Sequence, residues 1–301
     1  MNIPLTVATL LLILQPMATL QARASRAGSK SASRAALVVT SEPEIIGTGS
    51  PCLFRVKSRK ALKSLSGEWQ GRRVFFNFDG RDKTWYGVAG VGVDAAGARD
   101  RLKLAATTAG GVTFSYVYPV RVERVKYRTA PLHVPAQYTE PDAETLARIE
   151  EEQSLKKEIF AQVNPFRLWS GNFEAPVYSR VTSEFGVHRT FNRKVQSVHQ
   201  GSDFRAETGT PVEAMNSGVV VVARDMFYEG GFVVIDHGQG LSTLYMHLSE
   251  IKVREGDSVT KRQVIGLSGA TGRATAPHLH VGVRWQGIYL DPEALMTMPL
   301  P

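Results

Sequence analysis

Short β-prone runs separated by turn residues recur along most of the chain, and this pattern predicts a mainly β fold. Between residues 36 and 134 the runs are 36–40, 51–56, 74–78, 84–88 and 114–120. The pairs Asp79-Gly80 and Gly110-Gly111 are typical of tight turns between such strands. Several short strands at this spacing predict a β-sandwich-like domain. We interpret it as a spacer or binding module, with an inhibitory pro-domain as the alternative.

Residues 174–301 are also rich in β-prone runs, and we predict that they form a second domain. Glycine and β-branched residues dominate this part, and no long amphipathic helix is apparent. The segment 177–185 is interpreted as strands, and 218–223 and 231–235 are typical of buried strands. The run 242–248 alternates between apolar and polar residues, as expected for a strand with two different faces.

A charge-rich segment, residues 135–173, connects the two predicted domains. It contains a predicted helix over 142–163, with its N-cap at Thr139 or Glu140 and Pro141 in the first turn. Asn164-Pro165 should end this helix. A partial apolar stripe runs along it and consists of Leu146, Ile149, Leu155, Ile159 and Phe160.

The first 24 residues are predicted to be a secretory signal peptide. The run 5–14 is almost purely apolar, and Ala22-Arg23-Ala24 has the small-residue pattern of a cleavage site. The apolar run is shorter than the roughly 20 residues that a membrane-spanning helix needs. We therefore expect a secreted or periplasmic protein with no stable membrane span after cleavage, the alternative being an uncleaved anchor. Residues 25–35 are predicted to be disordered.

Length and charge restrict the classes of protein that fit. The 301 residues suggest about two domains, and the formal charge of +8 favours an anionic partner. Nucleic acid is not expected, because no aromatic and basic recognition signature is present. Cys52 is the single cysteine, which excludes an intrachain disulfide and a thiolate-rich zinc site.

Two histidines close to the C-terminus stand two residues apart, at His278 and His280. In an extended strand such residues project from the same face, with Leu279 on the opposite one. Both imidazoles would then point into one small volume. Alone, this pair is weak support for a functional site, so its meaning depends on further polar groups upstream.

Such groups are present in the same predicted domain. His199 and Asp203 are four residues apart with Gly201 between them, which favours a strand or loop that directs both side chains to one ion. Strict alternation in 242–248 places His247 on the strand face opposite Met246. Imidazole nitrogens and a carboxylate oxygen suit Zn²⁺, and three protein ligands leave a fourth position open. A neutral histidine nearby can accept and return protons.

Three motifs resemble those of the lysostaphin/LytM-type zinc metallopeptidases, peptidase family M23. They are His199-x-Gly201-x-Asp203, Tyr245-x-His247-Leu248 and His278-x-His280. The neighbouring sequence is similar to that family as well, and the resemblance covers residues 181–292. It implies an antiparallel β-sheet with an open groove, Zn²⁺ as the cofactor, and the peptide stems and cross-links of bacterial peptidoglycan as the substrate.

The resemblance also implies a role for each residue. His199, Asp203 and His280 would bind zinc, and His278 would act as general base or acid. His247 would stabilise the oxyanion or shuttle a proton. Two positions depart from the family pattern, because Ala276 stands where glycine is common and Val281 where phenylalanine is common. Neither is an implied ligand, so we expect activity to survive.

Several alternatives remain at this point. The domain could be a catalytically silent, peptidoglycan-binding activator of another wall hydrolase, or a zinc endopeptidase that acts on proteins. An inhibitory segment could supply a further ligand from His133 or Asn164. His237 and His188 are interpreted as non-catalytic. We expect the loops 189–197 and 225–230 to determine substrate choice, although they contain no motif.

Overall fold

The structure, a computed structural model, describes residues 37–132, 138, 140–191 and 195–301. Its first part is built from nine strands: β1 (Leu37–Glu42), β2 (Ile45–Gly47), β3 (Pro51–Ser58), β4 (Leu62–Trp69), β5 (Arg72–Phe75), β6 (Asn77–Asp79), β7 (Thr84–Gly90), β8 (Arg99–Thr108) and β9 (Thr113–Glu123). They form a four-stranded sheet, β1-β3-β7-β6, and a five-stranded sheet, β2-β9-β8-β4-β5. All neighbours are antiparallel except β2 and β9.

The two sheets pack on each other as a sandwich, which agrees with the predicted fold of this part. Phe54 of one sheet meets Trp69 of the other edge to face, with ring centroids 5.4 Å apart, and both are buried. Cys52 is also buried, and burial raises the pKa of its thiol. The sequence analysis missed β2, β4 and β8. In β8, buried Leu102 and Leu104 alternate with exposed basic residues, whose charge masked the period of two.

The connector contains one long helix, α1 (Ala143–Ala161). The predicted N-cap at Thr139 or Glu140 is wrong, because Asp142 is the N-cap and its carboxylate accepts the Thr145 N–H at 2.8 Å. Pro141 therefore precedes the helix instead of lying in its first turn. The helix ends before Asn164-Pro165, as expected. Its stripe is only partly buried, since Leu146 remains 47% exposed.

The second part is again mainly β. Its elements are β10 (Thr129–Leu132), β11 (Val181–Ser183), β12 (His188–Phe191), β13 (Val195–Val198), β14 (Ser202–Phe204), β15 (Pro211–Glu213), β16 (Gly218–Met226), β17 (Gly230–Asp236), β18 (Leu241–Leu248), β19 (Glu250–Ile251), β20 (Ser258–Val259), β21 (Val264–Leu267), β22 (Leu279–Trp285), β23 (Ile288–Leu290) and helix α2 (Pro292–Thr297). Within 177–185, only 181–183 is a strand.

An eight-stranded antiparallel sheet dominates this part, in the order β11-β14-β22-β18-β17-β16-β20, with β23 beside β22. Two three-stranded sheets, β10-β12-β13 and β15-β21-β19, flank it. In β22, His280 lies between Asp203 of β14 and Met246 of β18, so these side chains share one face. We call this face the site face. The opposite face carries Tyr245 and Val281 and forms the main core.

Helix α1 packs on the site face. Leu155, Ile159 and Phe160 lie against a buried apolar cluster formed by Val222, Met226, Phe232, Val234 and Leu244. The Arg284 guanidinium lies 4.0 Å from the centre of the Phe160 ring. The same sheet surface therefore supports the connector at one end and the Asp203–His280 pair at the other.

The sandwich and the large sheet contact each other directly. The Asp291 N–H donates to the Gly49 carbonyl at 2.8 Å, and the Gln286 side chain donates to the Arg73 carbonyl at 2.7 Å. Tyr127 packs edge to face on Phe185, with centroids 6.1 Å apart. One continuous hydrophobic core includes residues of both parts. The proposed domain limits stay predictions.

The predicted signal peptide, the segment 25–35 and His133 lie outside the described residues. Within the described part of the chain, no helix combines the length and the apolar composition that crossing a membrane requires.

His237 occupies the core side of the large sheet, away from His280. Its Nδ1–H donates to the Ser217 carbonyl at 2.8 Å, and its Nε2 lies 2.8 Å from the Thr243 hydroxyl. That hydroxyl is 2.9 Å from the hydroxyl of buried Tyr245. Burial lowers the pKa of His237 to about 4. This histidine is thus a neutral, fully bonded core residue.

Acidification should destabilise the protein through His237. The unfolded chain takes up a proton near pH 6.5, whereas the folded chain does so only near pH 4, so the free energy of unfolding falls as the pH is lowered between these values. The loss attributable to this residue is about 3 kcal/mol. Urea unfolding of wild type and His237→Gln, each with chelator, should show the wild-type advantage shrinking across this window. Parallel pH profiles would contradict the assignment.

Candidate metal centre

Three side chains converge at one end of the site face. His199 follows β13, Asp203 lies in β14 and His280 lies opposite it in β22. Asp203 Oδ1 is 3.0 Å from His199 Nε2 and 2.7 Å from His280 Nδ1, and the two nitrogens are 3.0 Å apart. All three residues are buried. This is the only such group found among the residues that the structure describes.

The protonation pattern of this cluster fits a metal ion. His199 Nδ1 lies 2.8 Å from the Glu184 carbonyl, which only accepts, so the proton of the neutral ring is on Nδ1. His199 Nε2 therefore presents a lone pair towards the carboxylate oxygen of Asp203. Two acceptors this close repel each other unless a cation lies between them. Tetrahedral zinc bonds of about 2.0–2.1 Å require ligand separations of about 3.3 Å, so the observed separations of 2.7–3.0 Å would widen by roughly 0.3–0.6 Å on binding.

Arg189 fixes the orientation of the Asp203 carboxylate. Its guanidinium donates to Asp203 Oδ2 at 2.7 Å and to the Ser183 hydroxyl at 3.0 Å, which leaves Oδ1 for the cluster. Burial would raise the pKa of the Asp203 carboxyl, but the adjacent His199 and His280 rings hold this pKa well below its usual range. The prediction that 189–197 is a loop is wrong at its ends, because 188–191 and 195–198 are the paired strands β12 and β13. The sequence analysis assigned Arg189 no role, since this segment contains no motif.

Gly201 leaves room for the His280 ring beside His199 and Asp203. A Cβ at this position would lie 2.6 Å from His280 Nε2 and 2.2 Å from the Val281 carbonyl oxygen. Its φ is not in the left-handed region, so space rather than backbone conformation requires a glycine here. The glycine between His199 and Asp203 therefore allows β14 to approach β22.

His278 and His280 do point into the same volume, as their spacing predicted. His278 forms a bridge with Gly269 just before β22 begins, and its Nε2 is 3.8 Å from Asp203 Oδ1. Its Nδ1–H donates to the Ala276 carbonyl at 2.8 Å, so Nε2 carries the lone pair of the neutral ring. The His278 side chain is 19% exposed, against 11% for His280.

The His247 ring lies in the same volume, although strict alternation along the strand predicted that it faces the other way. Gly231 is opposite Leu248 and Val233 is opposite Tyr245, so one residue of β17 faces two of β18. This is a β-bulge, which can redirect a side chain. His247 has a φ of 65°. The prediction that it lies opposite Met246 is wrong, because the bulge moves its ring to the site face.

The His247 ring lies beside those of the other two histidines. Its centroid is 4.7 Å from that of His278 and 6.1 Å from that of His280. Its Nδ1–H donates to the Thr271 carbonyl at 2.8 Å, which leaves the lone pair on Nε2. Burial, with the nearby charges of His278 and His280, lowers the pKa of His247 to about 3. Burial lowers that of His280 to about 4, against the opposing effect of Asp203.

A cavity of about 440 Å³ is lined by His199, His247 and His280. Its walls include Tyr228, Glu229, Arg273 and Tyr289, and the sandwich contributes Val93 and Asp94. A second cavity of about 610 Å³ lies at the end of helix α1 and is lined by Asn164, which is therefore not placed in the cluster. His188 is exposed at the start of β12.

The connector helix α1 makes polar contacts with the turn 225–229, which forms one wall of the cavity. Arg148, Glu152 and Lys156 are spaced four residues apart on one side of the helix. Arg148 pairs with Asp225 at 3.0 Å, Glu152 accepts the backbone N–H of residue 227 at 2.9 Å, and Lys156 pairs with Glu229.

The same turn, 225–229, supports His247 through a backbone hydrogen bond. The Glu229 carbonyl accepts the His247 N–H at 2.8 Å. This hydrogen bond holds the bulge of β18, so the connector acts on His247 through two successive contacts. The segment 225–230 thus supports a site residue, and its effect on substrate choice stays a prediction.

Adding one methyl group at Gly201 should disrupt the cluster without unfolding the chain. In Gly201→Ala the new Cβ would displace the His280 ring, and we expect metal affinity to fall by about tenfold or more. Competition with a chromophoric chelator measures this affinity. Gly80→Ala is the matched control, because nothing lies within 4 Å of a Cβ there. Equal affinities for both variants would contradict this prediction.

Removing the Lys156 charge should loosen the bulge. Lys156→Met leaves Glu229 without its ion-pair partner, so the His247 amide should exchange with solvent about tenfold faster. Lys157→Met is the control, since Lys157 is exposed on the same helix. Hydrogen exchange of the segment around His247 distinguishes the two. Unchanged exchange in Lys156→Met would show that the helix does not support the bulge.

Comparison with known proteins is consistent with this geometry. Residues 197–292 match the model of peptidase family M23. The chain is 39% identical over 159 residues to the peptidoglycan DD-endopeptidase ShyA of Vibrio cholerae, covering 52% of this chain and 32% of that protein. It is 38% identical over 130 residues to the DD-carboxypeptidase/endopeptidase Mpg of Neisseria meningitidis, covering 43% of this chain and 30% of that protein. The chain thus spans about a third of the length of these relatives.

A solved structure is similar over a larger part of the chain. It is a protein from Pseudomonas aeruginosa described as a peptidase M23, with a TM-score of 0.60 and 26% identity, over 86% of this chain and 92% of that one. The similarity therefore extends beyond the residues that carry the motifs and includes most of the first part. The sequence motifs, the antiparallel sheet and the family match agree, and residues 197–292 of this chain belong to peptidase family M23.

Proposed function

We propose that this protein is a zinc metalloendopeptidase that hydrolyses peptide cross-links in bacterial peptidoglycan. The observation that supports this most strongly is the convergence of His199, Asp203 and His280, with two further histidines beside them. The relative ShyA is named a peptidoglycan DD-endopeptidase, and the relative Mpg a DD-carboxypeptidase/endopeptidase, which supports a peptide bond of peptidoglycan as the target. An envelope location, secreted or periplasmic, follows from this substrate.

The proposed ligand atoms are His199 Nε2, Asp203 Oδ1 and His280 Nδ1. Zinc bound there would polarise the scissile carbonyl and make a water molecule nucleophilic near neutral pH. Two neutral imidazoles and one carboxylate would leave the site with a net positive charge. Arg189 would hold the second carboxylate oxygen and keep Asp203 from turning away.

His278 is the proposed general base and acid. Its Nε2 has the lone pair, and the ring is more exposed than that of His280, so it can take a proton in the site and exchange it with solvent. The Ala276 carbonyl fixes the ring by accepting its Nδ1–H. A base in this position could then return the proton to the leaving amine.

His247 is proposed to assist His278 by accepting a hydrogen bond at its Nε2. Its Nδ1–H is committed to the Thr271 carbonyl, so only the lone pair of Nε2 is available to the site. An imidazole in this state accepts hydrogen bonds and cannot donate one to an oxyanion. Of the two roles that the family resemblance implies for His247, this tautomer does not fit oxyanion stabilisation, and a pKa of about 3 restricts proton shuttling to a transient relay.

Replacement of His278 tests the proposal. In His278→Ala we expect cleavage of purified peptidoglycan to fall by about 100-fold or more, because the proposed general base is lost, while one zinc per chain is retained. His188→Ala is the control, since His188 is exposed and outside the cluster. Mass spectrometry of muropeptides, with and without a chelator, identifies the bond that is cut. Undiminished turnover in His278→Ala would refute its role.

A further inference from the structure

The positive charge of the chain is concentrated in the first predicted domain. Residues 36–134 contain 16 lysines and arginines and 8 acidic residues, a net charge of +8. Residues 174–301 contain 12 basic and 13 acidic residues, a net charge of −1. The part of the chain that carries the candidate metal centre is therefore almost neutral. An anionic partner would be attracted mainly by the sandwich.

One surface of the sandwich holds a compact group of these cations. In β8, Arg99, Arg101 and Lys103 are exposed and alternate with residues of the opposite face, so all three project outwards from the five-stranded sheet. Alternate residues of a strand are about 6.7 Å apart, which makes a row of about 13 Å. Arg121 of β9 and Arg73 of β5 project from the same surface. We call these five residues the basic face.

The basic face is incompletely neutralised within the chain. Lys103 pairs with Glu68 at 2.9 Å and Arg121 with Glu123 at 3.6 Å. Among the described residues, Arg99 and Arg101 have no acidic partner within ion-pair distance. Asp100 stands between them in sequence but belongs to the opposite side of the strand.

Two of these arginines oppose each other directly. Arg99 and Arg121 are paired across β8 and β9, a register that brings their Cβ atoms to about 5 Å. Like charges in this arrangement destabilise a sheet, and folding alone gives no reason for them. An anionic ligand over both strands would remove the repulsion. A row of cations about 13 Å long suits an extended polymer better than a small molecule.

We infer that the basic face is a binding surface for peptidoglycan, and that it holds the polymer while the metal centre cleaves it. The carboxylates of the peptide stems would pair with Arg99, Arg101 and their neighbours. This inference rests on the proposed function, because peptidoglycan is chosen as the anionic polymer on which the second domain would act. Binding through exposed charges should weaken as salt increases.

Charge reversal tests the basic face. The full chain and its Arg99→Glu/Arg101→Glu variant are cosedimented with purified peptidoglycan sacculi in chelator, over a series of sodium chloride concentrations. We expect the variant to bind about tenfold more weakly at low salt and to lose most of the salt dependence. The control Lys252→Glu/Arg254→Glu changes the net charge equally, at two exposed residues of the second domain. It should bind within about twofold of wild type.

Two further measurements separate this inference from the proposed function. Cleavage of a soluble cross-linked muropeptide, too small to span both surfaces, should be equal in wild type and Arg99→Glu/Arg101→Glu. If wild type does not cleave it, the proposed function fails, whatever the binding result. If cleavage is present but both double variants bind sacculi alike, the inference that the basic face binds peptidoglycan is refuted. Binding of wild type to anionic phospholipid vesicles and not to sacculi would also refute it.

Discussion

The candidate site depends on the opposition of lone pairs in a buried space. His199 Nε2 and Asp203 Oδ1 face each other at 3.0 Å, and His280 Nδ1 completes the group. Burial makes each of these groups costly to charge or to leave unpaired. A cation relieves the repulsion and binds to all three atoms at once. The surrounding structure can be understood as the means by which the chain tolerates and orients this arrangement.

Three backbone features supply that support, and they come from different parts of the chain. Gly201 allows close approach of two strands, the bulge in β18 turns His247 towards the site, and carbonyl groups fix the ring tautomers of His199, His247 and His278. The connector helix contributes through Glu229. A domain cut at the limits of the family match, 197–292, would lack the helix and Arg189.

The sequence predicted the composition of the site better than its geometry. The pair His278 and His280 was placed correctly because a period of two needs only local strand structure. His247 was placed on the wrong face, since a bulge depends on pairing between distant strands that alternation alone does not reveal. Arg189 was missed for a similar reason, as its partner Asp203 is contacted only after folding. The strand β8 was missed because its outward residues are basic.

The basic face and the candidate metal centre are the basis of the proposed division of roles, in which the sandwich would hold an anionic polymer and the large sheet would cleave it. The most direct test of the central claim is zinc binding by wild type and Asp203→Asn, measured by metal analysis and chelator competition. One zinc per chain in wild type, with affinity at least about 100-fold lower in the variant, is the predicted result. Equal stoichiometry and affinity in both would contradict it.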